Sequence, residues 1–477
     1  MTEVERDLAE RTLGFCDGDA QVNVTRERSL ASRFARSVPT QATAVDDTTV
    51  EVLCLLDGHV GTASTNRLDA DALREVAGRA RRIAAAAARA GRGDHPGLPQ
   101  PDSGLSQPAD PRPAGDPAGG SDPVEADDAR VGHDAATAEL DPAVAGDALG
   151  AAFATAQRHA TEAFGIWSAG EVSTAIVSSA GIRSAESVTD AHMKVICRDA
   201  TGRSGYAATT SVGSGALDGA EIAQRAAAKL NPAHPVELPP GEYEVVLDHE
   251  AVGTLLDFLG WLAFNGLAHA EHRGALSDRL GQAVAAPAIN LSDAPGLRRG
   301  LPRSYDADGI RKVRLQLIDD GVARSVVHDT RSAALAGGGA RSTGHALAPG
   351  GDPDGPAPTN LLLAGGGATS LDELVRPVER GLYVTRLWYV NPVDPRHTLL
   401  TGVTRDGTFL IEDGQITRPL LDVRFTDSVL RILAETVELT RDRRLVTEAD
   451  HYGRRFAHGV VCPAVRATGF RVTGSTT

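Results

Sequence analysis

The sequence predicts an α+β fold in two parts. The N-terminal domain is built of strand–turn–strand–helix units, and the C-terminal domain is a mostly antiparallel, rolled β-sheet with a few helices. Three observations predict this. A strand, a glycine-containing turn, a strand and a helix occur in succession twice before residue 230. Residues 231–241 (NPAHPVELPPG) hold four prolines and read as an interdomain connection. Beyond them, short β-prone runs alternate with Asp-Gly turns, the pattern of an antiparallel sheet. The expected domains are residues 1–230 and 241–477.

Taken in order, a helix is expected over 3–14, then strands near 20–25 (alternating Val22 and Val24) and near 30–36. A strand at 49–56 turns at Asp57-Gly58 into another at 59–64, since Asp-Gly between β-prone runs favours a tight hairpin. The alanine- and arginine-rich run from Asp69 supplies strong helix formers. Residues 96–125 then carry eight prolines and five glycines, and 94–134 carry nine acidic against two basic residues. Such a stretch buries too little apolar surface to offset its ordering entropy, so 94–134 is expected to be a disordered acidic insert.

After the insert the first pattern recurs. Val52-Leu53-Cys54 precedes Gly58-x-x-Gly61-x-Ala63-Ser64-Thr65 and a helix; Val195-Ile196-Cys197 precedes Gly202-x-x-Gly205-x-Ala207-Ala208-Thr209 and a helix near 217–230. Either the unit is duplicated, or both copies use a common way of writing a hairpin. The second half opens with a strand near 243–247 and a helix from about His249. In that helix Val252, Leu255, Leu256, Leu259, Leu262 and Ala263 share one face. Strands follow near 312–318, 360–363, 381–387, 399–403 and 408–411, with turns at Asp320-Gly321, Asp406-Gly407 and Asp413-Gly414. A helix near 428–439 and a strand near 467–473 complete the expected order.

Composition narrows the function. The formal net charge is −15, which speaks against gripping nucleic acid phosphates. Three lysines (Lys194, Lys229, Lys312) stand among 48 basic residues, leaving few candidates for a phosphate-binding or Schiff-base amine. No GxxxxGK[ST] or GxSxG pattern occurs, and the Gly337–Gly339 and Gly365–Gly367 clusters read as turns. No apolar run is long enough for a membrane span, and the charged first residues lack a leader's apolar core. Cys16, Cys54, Cys197 and Cys462 are scattered without a CxxC pair, so a cytoplasmic protein with free thiols is expected.

Metal chemistry has four candidates: His249, His269, His272 and Cys462. His249-Glu250 begins HEAVGT, but Gly253 and Thr254 stand where a second imidazole would be needed, and acidic side chains suit a first helical turn anyway. His269 and His272 could share a helix face, with no third ligand recognisable nearby. Cys462 reads as a packed core thiol.

Several segments together resemble the TldD/PmbA family of cytoplasmic metallopeptidases. In the first half these are Ser29-Leu30-x-x-Arg33-Phe34-Ala35-Arg36, Gln41 and the Asp57-Gly58-x-x-Gly61 turn. In the second they are Ser342-Thr343-Gly344, Pro358-Thr359-Asn360-Leu361, Gly381-Leu382-Tyr383-Val384, Thr401-Gly402, the hairpin from Gly407 to Ile416, and Gly469-Phe470-x-Val472-x-Gly474. The family's TldD kind carries HExxxH and a downstream cysteine as zinc ligands; its PmbA kind, also called TldE, lacks them and pairs with the first. Leu255-Leu256 is similar to the pair preceding the metal motif, and 257–262 that follow hold no histidine or glutamate. In that register His249-Glu250 stands several residues too early and Cys462 too near the terminal strand.

The resemblance therefore implies the PmbA/TldE kind, with no catalytic or metal-binding residue in this chain and zinc held by a TldD-like catalytic partner. It also implies a hetero-oligomer that cleaves short or unfolded peptides, including ribosomally made natural-product precursors in some members. Neither nucleic acid nor membrane is an expected partner. Two alternatives stand beside it: a self-sufficient metallopeptidase using His249, His269, His272 and Cys462, and a non-enzymatic scaffold or binding protein.

Overall fold

The computed structural model describes residues 2–91, 93–101, 103–104, 132–447 and 454–475. Most of the acidic insert, 105–131, lies outside the described residues. Its leading flank does not behave as a tether. Gly93 and His95 donate their backbone N–H groups to Asp57 and Gly58, His95 is buried, and Asp94 pairs with Arg331 at 3.1 Å.

The first domain contains, in order, α1 (Glu3–Leu13), β1 (Asp19–Ala35), β2 (Val38–Leu56), β3 (His59–Thr65) and α2 (Ala70–Ala88), then α3 (Ala135–Ala138), α4 (Pro142–Arg158), β4 (Glu162–Ser178), β5 (Arg183–Arg198), β6 (Ser204–Ser211) and α5 (Gly219–Ala227). Its six strands form one antiparallel sheet in the order β3-β2-β1-β4-β5-β6. The order reads identically outward from the central β1–β4 pair, so the repeated unit is a structural duplication. In each copy a cysteine faces a glycine across the hairpin, Cys54 opposite Gly61 and Cys197 opposite Gly205. Each glycine lies where the unit's helix presses on the sheet. A Cβ at Gly61 would stand 2.3 Å from the Ala80 carbonyl, and one at Gly205 would stand 2.2 Å from that of Ala226. The recurring GxxG thus encodes close helix–strand packing as well as a turn.

Strands near 20–25 and 30–36 are one continuous β1. The intervening Arg26-Glu27-Arg28 has no apolar alternation, and cross-strand pairs hold it extended: Arg26–Asp46 at 3.0 Å and Arg28–Glu171 at 3.2 Å. The 49–56 strand likewise extends back to Val38. α4 and β4 had no sequence expectation; α4 is alanine-rich with a low apolar contrast, and β4 is buried on both sides along much of its length, which removes the alternation.

The second domain contains β7 (Gly241–Leu247), α6 (His249–Ala263), α7 (Gly266–Ala270), β8 (Leu291–Asp293), β9 (Leu315–Asp319), β10 (Val322–Ala323), α8 (Thr330–Ala336), β11 (Asn360–Leu363), α9 (Leu371–Val375), β12 (Arg380–Val384), β13 (Leu387–Asp394), β14 (Leu399–Thr404), β15 (Thr408–Glu412), β16 (Gln415–Pro419), β17 (Val423–Ser428), α10 (Val429–Ala434), β18 (Thr436–Leu439), β19 (Arg444–Val446), β20 (Gly459–Cys462) and β21 (Val465–Ser475). One sheet runs β10-β9-β8-β11-β20-β19 and the other β13-β14-β17-β21-β7-β12-β15-β16, with β18 beside β21. Most pairs are antiparallel; β7–β12 and β11–β20 are parallel. The expected helix at 428–439 stops at Ala434, because Thr436 to Leu439 pair with β21 instead. The 381–387 strand is split, β12 and β13 lying in different parts of the sheet.

Helix α6 is enclosed by both sheets. Besides the expected apolar stripe, Ala251, Gly253, Thr254 and Gly260 are buried, while Leu262 is only partly covered and Trp261 is exposed. Among the described residues no helix is long and apolar enough to cross a membrane. The domains are locked by buried polar contacts. Arg455 makes a bidentate pair with Asp190 (2.7 Å to each oxygen), passing over Gly170, where a Cβ would strike its guanidinium. Ser204 donates to Asp406 at 2.6 Å, and Asp406 also takes Arg386 at 2.8 Å.

Gly61→Ala and Gly205→Ala are each expected to destabilise the protein by about 1–3 kcal/mol through overpacking. Gly215→Ala, which meets open space at an ordinary φ, is expected to be near neutral. Denaturant unfolding of the three variants checks this.

Candidate functional site

The sequence candidates separate into two places. His249 opens α6 directly after β7, whose end at Leu247 leaves Asp248 in extended backbone as the helix cap. Asp248 is buried. Its Oδ1 accepts the His249 N–H and the His249 Nδ1–H, each at 2.8 Å; its Oδ2 accepts the Tyr383 hydroxyl at 2.7 Å and faces Lys229 Nζ at 3.8 Å. Burial works to raise the Asp248 carboxyl, but the His249 hydrogen bond, the Lys229 and His249 charges and the Tyr383 hydroxyl outweigh it and hold it well below the ordinary range. Burial pulls Lys229 down, and burial with the Asp248 charge pushes Tyr383 well up.

Cys462 joins this cluster. It ends β20, packs on α6, and its thiol donates to the His249 carbonyl at 3.4 Å. Burial, then the Glu250 and Asp248 charges, push its thiol well above the usual range, so it stays protonated at neutral pH. Cys462 is a buried core residue just before the terminal strand β21, and it also lies against the start of the HEAVGT helix. Thr254, five residues after His249, is buried and bonds back to the Glu250 carbonyl at 3.0 Å.

His269 and His272 lie elsewhere, on α7 and the turn after it. His272 is exposed and 3.7 Å from Asp278, whereas His269 is partly buried and neighbours His328. The four candidates therefore do not converge. A zinc site needs several deprotonated donors aimed at one point. Here His249 Nδ1 is committed to Asp248, its Nε2 is directed at Asp442, Cys462 donates to a carbonyl, and Thr254 offers no imidazole. Among the described residues no group of three His, Cys, Asp or Glu side chains is placed to hold a metal ion. These described residues do not fit zinc.

A second buried cluster was missed in the sequence. Asp293, at the end of β8, accepts the N–H groups of Thr359 and Asn360 (3.1 and 2.8 Å) and His345 Nε2 at 2.9 Å, and it faces Lys312 Nζ at 3.4 Å. Thr343 Oγ1 meets His345 Nδ1 at 2.8 Å. Ser342-Thr343-Gly344 and Pro358-Thr359-Asn360 thus converge on one carboxylate 50 to 70 residues away in sequence, a relationship no local spacing reveals.

Two models of one metallopeptidase family match most of the chain. The description "PmbA/TldA metallopeptidase C-terminal domain" matches residues 240–474, and "PmbA/TldA metallopeptidase domain 1" matches residues 20–84. The chain belongs to this TldD/PmbA family. It is 28% identical over 208 residues to a metalloprotease of Methanothermobacter thermautotrophicus, and 28% identical over 201 residues to one of Archaeoglobus fulgidus. These matches cover 43% and 41% of this chain and 44% of each relative, so the chain spans less than half the length of the curated relatives it matches. The crystal structure of TldE from Thermococcus kodakarensis superposes with a TM-score of 0.78 at 18% identity, covering 98% of this chain and all of that one. A Bacteroides thetaiotaomicron protein described as a candidate modulator of DNA gyrase superposes at 0.75 and 20% identity, covering 99% of each chain. These likenesses show the fold.

Asp248→Asn leaves Lys229 buried without its anion and is expected to cost about 3–5 kcal/mol. The depressed carboxyl contributes stability that is present above the unfolded-state value of about 4 and lost as pH falls toward the folded one. Unfolding midpoints from neutral pH into acid are therefore expected to fall more steeply for the parent than for the variant. Cys462 is expected to resist alkylation in the native state and to react in denaturant, as peptide mass mapping would read.

Proposed function

We propose that this chain is the non-catalytic, TldE-like subunit of a zinc metallopeptidase complex acting on short or unfolded peptides. The observation that carries the reading is the incomplete donor set at the start of α6. HEAVGT holds one histidine and a glutamate but no second imidazole at Gly253 or Thr254, residues 257–262 hold no histidine or glutamate, and the nearby Cys462 is a protonated core thiol. A TldD-like partner would supply HExxxH, its cysteine and the zinc. This chain would contribute chamber wall and assembly contacts.

The edge of the larger second-domain sheet supports a role in assembly. Among the described residues β13 is paired on one side only, by β14, and it exposes Trp388, Tyr389 and Val393. An apolar sheet edge of this kind is a liability in a protein that stays alone, and it suits pairing with another chain or an extended peptide.

Two outcomes follow. Hydrolysis of an unstructured peptide is expected only when the chain is mixed with a TldD-like subunit carrying HExxxH; cleavage by this chain alone, lost in His249→Ala, would favour the self-sufficient peptidase. Failure to co-purify with any such subunit would favour a scaffold. Tyr389→Glu with Val393→Glu is expected to weaken co-purification by about tenfold or more while leaving the unfolding midpoint of the isolated chain nearly unchanged.

A further inference from the structure

A cavity of about 380 Å³ lies at the junction of the domains, within the size range of small-molecule sites. One wall is the first-domain sheet, including Glu51, Thr174 and Glu186; the other is formed by second-domain loops that bring Arg303, Lys312 and Arg454. Several of the charged groups on this wall are already matched. Arg455 is taken by Asp190. Asp306 accepts the N–H groups of Asp308, Ile310 and Ala346.

Lys312 is different. Its side chain is 2% exposed and, among the described residues, its ammonium meets no acceptor closer than Asp293. The facing Asp293 oxygen is 3.4 Å away and is shared with His345, so the three N–H donors of the ammonium are under-used. Among the described residues, Arg303 Nε is also buried without a hydrogen-bond partner. Its nearest acid, Glu186 at 3.9 Å, already accepts the Ser304 N–H, and the guanidinium lies over the Phe456 ring. Leaving two buried cationic donors unmet at the wall of a cavity is costly unless an anion completes them.

We propose that this cavity binds a small carboxylate of amino-acid to dipeptide size, its carboxylate received by Lys312 and Arg303 and its ammonium by Glu51. The chemistry is that of an α-carboxylate paired with a free amine, supplied either by a free amino acid or by a short peptide. The site belongs to this chain alone and stands whether or not the chain pairs with a peptidase subunit. Burial pulls Lys312 down and pushes Glu51 up, the direction expected of groups held for a partner they lack.

Isothermal titration calorimetry on the full isolated chain tests this with alanine, Ala-Ala, N-acetylalanine and alaninamide. Alanine or Ala-Ala is expected to bind saturably, the tighter of the two identifying the source. N-acetylalanine is expected to bind more weakly, and alaninamide not at all. Lys312→Met and Arg303→Gln are each expected to weaken binding by about tenfold or more. Arg303→Gln carries this arm if Lys312→Met fails to fold. No saturable binding of either carboxylate, binding of alaninamide as tight as alanine, or unchanged affinity in the folded variants would overturn the site.

Discussion

A carboxylate removed from water is tolerated only where donors and cations are brought to it, and Asp248 dictates where three parts of the chain must meet. It caps α6, orients the His249 ring, receives Tyr383 from β12 and faces Lys229 from the end of the first domain. Once these partners are fixed, α6 can run in only one direction between the two sheets of the second domain. That direction brings Val446 against Gly253, Pro358 against Gly260, and Cys462 beneath the first turn. Asp293 repeats the arrangement at the other buried crossing, gathering Lys312, His345 and the Thr359-Asn360 backbone. Two of the chain's three lysines face these two acids.

The first domain is a platform built by repetition. Placing the two units side by side through β1 and β4 gives a continuous six-stranded sheet, and the helices α2 and α5 seat on it through Gly61 and Gly205. The same sheet is the wall against which Arg455, Arg386 and the cavity-lining loops of the second domain dock. Interface polarity here gives register: a bidentate Arg455–Asp190 pair over a glycine admits one placement of the two domains.

Much of this architecture was legible. Asp-Gly turns at 57, 320 and 413 marked hairpins because both residues take positive φ there, and the apolar stripe of α6 identified the central helix. The duplication was readable in GxxG, but its meaning was not, since the atoms that exclude a Cβ belong to a helix some twenty residues on. Strand lengths failed where cross-strand ion pairs replaced apolar alternation, as at Arg26 and Arg28. The site was half legible. His249 and Cys462 stood out by type, while their meeting, 213 residues apart, depends on the parallel β11–β20 pairing that no spacing announces. Asp293 and Lys312 gave no signal beyond the rarity of lysine.

In the function proposed above, the start of α6 in this chain is not a metal site and zinc belongs to a partner. Elemental analysis by mass spectrometry, on the isolated chain and on its complex with an HExxxH subunit, tests it most directly. Stoichiometric zinc is expected in the complex and none above background in the isolated chain. Stoichiometric zinc in the isolated chain, abolished by His249→Ala, would contradict it.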